Sequence, residues 1–139
     1  MALATLFQFI RPASPEDHEA QQLFRGDATR LVDRLRVMFE EWGAMREFVP
    51  EYDKLANVAA VNRWELMRLA HESEQLHSPR SMAATQRELH EALTSGARAW
   101  QLLANGYRFH KSEAVCDGQA LLIDTLAQVD RLIQQVQMH

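Results

Sequence analysis

The chain has 139 residues, the size of one ordinary domain, and 47% of them are hydrophobic, enough to close around a core of their own. Its 15 Lys and Arg stand against 19 Asp and Glu, a formal charge of -4, so it lacks the basic footprint that a phosphate backbone or an anionic lipid surface requires; neither nucleic acid nor membrane is expected as a partner. One cysteine, Cys116, excludes an internal disulfide framework and a zinc site built on several thiolates, and it fits a reducing, cytoplasmic setting.

Residues 1–13 read as a short apolar N-terminal arm, with Leu3, Leu6, Phe7, Phe9 and Ile10. The stretch is too short to span a bilayer and has no basic leading segment of the kind that opens a secretory signal. Residues 14–139 read as an all-α, antiparallel, up-down-up-down four-helix bundle. The prolines fall where helices begin: Pro12 and Pro15 before the first, Pro50 at the second and Pro79 before the third.

The first helix is predicted from Ser14, as cap, to about Val49, with an apolar stripe of Phe24, Leu31, Leu35, Met38, Trp42, Met45 and Val49 at spacings of four and three. Gly26 interrupts it early, either as a tolerated residue or slight kink, or as a break before Asp27. The second helix runs from about Glu51 to about His77, with Tyr52, Leu55, Ala59, Leu66, Leu69, Ala70 and Leu76 on one face and Asn62 and Ser73 sharing it. The third follows Ser78–Arg80, takes Ser81 as its cap, and carries Met82, Leu89, Leu93, Gly96, Trp100, Leu103 and Tyr107. The fourth starts after Ser112 and turns Val115, Leu122, Leu126, Val129, Leu132, Ile133 and Val136 inward. Connections of a few residues set each helix antiparallel to the one before it. Trp100, Leu103, Ala104 and Tyr107 echo the first half of a tetratricopeptide signature, but the second half is missing and the pattern does not recur, so the stripe reads as core.

Few residues point to chemistry. Glu74 and His77 have the Glu-x-x-His spacing of di-iron bundles, but such a site needs a second pair and further inward glutamates, and Glu40, Glu41, Glu47, Glu88 and Glu91 lie off the stripes. His71 and His77 read instead as donors near the negative end of a helix dipole, and no metal or other cofactor is expected. Cys116 stands in the first turn of the fourth helix with His110 nearby, but Asp117 opposes thiolate formation and the phase turns the thiol outward. No catalytic set emerges, and the chain reads as a binding protein rather than an enzyme.

Two binding surfaces remain. Ala60, Trp64, Met67 and His71 recur at spacings of four, three and four and form a second ridge, turned away from Leu55 and Leu66. That ridge is the expected interface of a homo-oligomer such as a dimer, or of a complex with a protein partner; the arm folding back over it, or plain exposure, is the alternative. Asn62, Gly96, Trp100, Tyr107 and Thr125 fall on or near the inward faces and mark where a small ligand would sit between helices.

Overall fold

The structure, a computed structural model, describes residues 15–48 and 51–138, with side chains described for 17–48 and 51–137. The arm, Ser14, Val49 and Pro50 lie outside the described residues. Four helices pack side by side with no strand among the described residues, an all-α four-helix bundle. They are α1 (Pro15–Phe48), α2 (Tyr52–Gln75), α3 (Ala83–Arg108) and α4 (Ser112–Met138). A 3-10 turn at Arg80–Met82 leads into α3. Contacts at the helix ends give the antiparallel order: Asn57 near the start of α2 meets Arg108 at the end of α3, Gly106 near the end of α3 abuts Val115 near the start of α4, and α1 runs with α3, Gln21 near its start reaching Ser81 and Trp42 near its end meeting Tyr107.

The helix boundaries follow local chemistry. α1 runs unbroken through Gly26, whose neighbourhood is open, so the glycine is tolerated rather than a break. Glu51 stands at the N-cap of α2, where its carbonyl accepts the Leu55 N–H at 3.1 Å. Ser81 does not cap α3. The N-cap position is Met82, whose side chain is buried, because the 3-10 turn carries the chain one residue further before the helix begins. α3 ends at Arg108 with Phe109 as its C-cap, and His110 follows in the left-handed region at φ 53°, where the Lys111 N–H reaches back 2.8 Å to the Gly106 carbonyl. This is a Schellman closure with histidine at the place usually given to glycine.

The predicted stripe of α3 is buried throughout. On α1 the stripe from Phe24 to Trp42 is buried and Met45 is half-buried; Ala28 and Val32 complete that face. On α2 Tyr52 is exposed at the start of the helix and Leu76 is half-buried just past its end, and Val115 and Leu126 are half-buried on α4.

The backbones do not approach equally. α3 meets its neighbours through small residues: Ala92, Gly96, Ala97, Ala99, Ala104 and Gly106 are all buried on it. A methyl group at Gly118 would stand 2.9 Å from Leu103 Cγ and 3.0 Å from the Ala99 carbonyl oxygen, so α3 and α4 nearly touch there. α1 instead holds its place with large side chains, Phe24, Leu31, Leu35 and Trp42, spanning a wider gap. At the centre, Trp42 of α1 meets Trp100 of α3 edge-on at 5.1 Å.

The end of α2 is closed from α3. Gln86 donates from Nε2 to the carbonyls of Ser73 at 2.7 Å and Leu76 at 2.8 Å, while its Oε1 accepts from the Ser78 hydroxyl at 2.6 Å. Terminal carbonyls that lack intrahelical partners are thus satisfied by a neighbouring helix.

Candidate functional site

The outer face of α2 carries the most exposed apolar surface of that helix. With roughly 100° per residue, Trp64 falls nearly opposite the buried Leu55 and Leu66, and Val61 and Met67 flank it on either side. Trp64 and Val61 are each 66% exposed and Met67 is 42% exposed. His71 is exposed further along, and Ala60, half-buried, packs against the core at the ridge's inner edge. The Arg63 guanidinium lies 5.7 Å above the Trp64 ring and shields one part of it. Beside the ridge runs a charged network: Glu65 accepts from Arg68 at 2.7 Å and from Arg34 at 3.2 Å, and Arg68 also reaches Glu72. The Arg68 hydrogen bonds hold the Glu65 carboxyl below the ordinary glutamate range; burial opposes them in part, and the Arg34 hydrogen bond adds a smaller lowering.

Around Gly96 the mid-bundle ligand site marked in the sequence is filled, while Tyr107 of the same set lies at the end of the bundle, in the lining of a cleft. A methyl at Gly96 would lie 3.2 Å from Thr125 Cγ2 and 3.6 Å from Leu66, so α2 and α4 already occupy the space that the glycine was expected to leave open. Trp100 is wholly buried against Trp42, and Thr125 donates to the Leu121 carbonyl at 2.8 Å. Asn62 is half-buried.

Glu74 and His77 do not form a ligand pair. α2 ends at Gln75, so His77 has left the helix, and the Glu74 carboxylate faces His90 of α3, with Oε1 3.1 Å from Nε2. The other ring nitrogen of His90 lies 2.9 Å from the Ala70 carbonyl oxygen. Among the described residues no three His, Cys, Asp or Glu side chains converge as metal ligands. His90 was not singled out in the sequence because its partners come from another helix, which spacing along one helix cannot show.

At the opposite end of the bundle, rings connect the core to the surface. Trp42 meets Tyr107 at 5.9 Å, Tyr107 meets Tyr52 at 5.4 Å, and Tyr52 meets His110 at 5.2 Å. Tyr52, Tyr107, His110, Val115 and Cys116 line a cleft of about 240 Å³ whose base includes Gly106. Cys116 is exposed, as its phase on α4 required.

Compared with family models, with curated proteins and with solved structures, the chain matches none. Bundles host many unrelated activities, so the fold carries little functional information and the surfaces must supply it. No helix among the described residues is long and apolar enough to cross a membrane.

Proposed function

We propose that the protein acts by association, with a second copy of itself, through the outer face of α2. The supporting observation is the exposure of Trp64 with Val61 and Met67 around it. A tryptophan buries roughly 150–250 Å², so two-thirds exposure leaves roughly 100–160 Å² of ring in water; with its neighbours the patch comes to roughly 300 Å². A standard dimer buries about 800 Å² per partner. The ridge therefore supplies the desolvated centre, and Arg63, Glu65, Arg68 and Glu72 supply the polar rim.

A second copy is the fitting occupant on two counts. A two-fold interface uses the same patch on both sides, so each tryptophan covers the other's surroundings and the apolar burial is doubled. Trp64 also stands at the midpoint of α2, Tyr52–Gln75, so an antiparallel pairing centred on it overlaps the two helices along their full length. The single exposed cysteine fits a reducing cytoplasmic setting for such an assembly.

Sedimentation equilibrium over a range of concentrations tests the reading. The wild type is expected to associate, and Trp64→Lys to be monomeric with unchanged helicity, its affinity weakened on the order of 1000-fold, as for loss of a central hot spot on both copies. A wild type that stays monomeric at high concentration, or a Trp64→Lys variant of unchanged mass, would refute it.

A further inference from the structure

We propose that the cleft at the α3–α4 turn is a binding site for a small, neutral, planar molecule: one aromatic ring carrying a hydrogen-bond acceptor. Tyr107 carries the inference. It is only 7% exposed, yet its hydroxyl makes no hydrogen bond among the described residues, and that hydroxyl still touches solvent. An acceptor arriving in the cleft takes that hydroxyl's hydrogen bond over from water. The ring cannot turn away to find another partner, because Trp42 and Tyr52 hold it by edge contacts at 5.9 and 5.4 Å.

The walls select the rest of the ligand. The ring of Tyr52 and the side chain of Val115 present apolar surface, the His110 imidazole adds a flat polar one and Ser112 lines the cleft as well; with no Lys, Arg, Asp or Glu on it, the cleft fits a neutral ligand best. The base is built of backbone. A methyl at Gly106 would lie 2.6 Å from Val115 Cγ2 and 2.8 Å from the Val115 nitrogen, so a side chain has no room there. An apolar cavity of about 150 Å³ accommodates benzene, so about 240 Å³ takes one ring with a small polar substituent. The larger groove on the other side of the same turn, about 450 Å³, is lined by Lys111, Glu113 and Asp117 and offers no comparable apolar wall.

Benzamide is a suitable probe, since it is neutral, planar and carries a carbonyl. In a titration of the full chain followed by amide NMR, saturable shifts are expected at residues 106–116, with a dissociation constant in the millimolar range. Tyr107→Phe should weaken benzamide at least fivefold while binding toluene, which lacks the acceptor, as the wild type does. The same variant should keep its helicity, because the hydroxyl it loses holds nothing in the fold. Saturating benzamide should also slow alkylation of Cys116 by iodoacetamide. Shifts that rise linearly to the solubility limit, shifts centred on Trp64 instead, equal benzamide affinity in Tyr107→Phe, or an unprotected Cys116 would each overturn the proposal.

Discussion

Replacing Gly118 and Gly43 by alanine, one at a time, separates the effect of helix propensity from that of packing. Both glycines are inside helices, and alanine is favoured over glycine there by about 1 kcal/mol. At Gly43 nothing lies within 4 Å of the added methyl, so the full gain should appear. At Gly118 the methyl meets Leu103 Cγ at 2.9 Å, the Ala99 carbonyl oxygen at 3.0 Å and the Leu103 nitrogen at 3.1 Å. Two of those atoms are backbone, so relief requires α3 and α4 to move apart, and overpacking of this kind costs about 1–3 kcal/mol. The propensity gain is common to both variants and cancels between them, leaving the clash as the difference. For a domain of this size 1 kcal/mol corresponds to about 3–4 °C in Tm, so Gly43→Ala should melt about 3–12 °C above Gly118→Ala. Thermal and urea unfolding followed by far-UV circular dichroism measures it. Equal melting temperatures would show that α3 and α4 are not in close contact and would refute the packing described above.

Gln86→Ala should lower stability by about 1–3 kcal/mol in urea unfolding, since the Ser73 and Leu76 carbonyls lose their partner; Gln86→Glu should not restore it, because a carboxylate cannot donate to them. Glu65 gives a pH dependence. Its folded-state value is depressed, so its contribution is present above the ordinary glutamate pKa of roughly 4.3 and is lost as pH falls through the lower folded value. Glu65→Gln should flatten stability against pH in that acid window and leave the slope near neutrality unchanged; an identical acid slope in both proteins would refute the assignment.

The apolar period alone placed the core of this fold. Leu89, Leu93, Trp100 and Leu103 recur at helical spacing and are buried as expected, because a stripe of large residues can be satisfied in only one direction. The small residues were harder to interpret. Gly96 reads as open space along one helix, but the space is taken by Thr125 and Leu66 from two others. Tyr52 reads as core by phase, but it stands at the first turn of α2, where the bundle ends, and so it joins the exposed end of the ring series. The ridge around Trp64 was legible because exposure follows directly from phase. The cleft at Tyr107 was not, because Tyr52, Tyr107 and Cys116 come from three helices and His110 from a turn. His110 meets Tyr52 from a left-handed backbone position, and no residue type at that position announces it.

The three tryptophans have a practical consequence. Trp42 and Trp100 share one dry environment inside the bundle, with both indole nitrogens out of reach of water, whereas Trp64 is two-thirds exposed to solvent. The protein thus carries two fluorescent reporters of opposite character. A polar quencher in solution reaches Trp64 and leaves the inner pair bright, so a single emission spectrum can follow the covering of the α2 face and the melting of the core as separate signals.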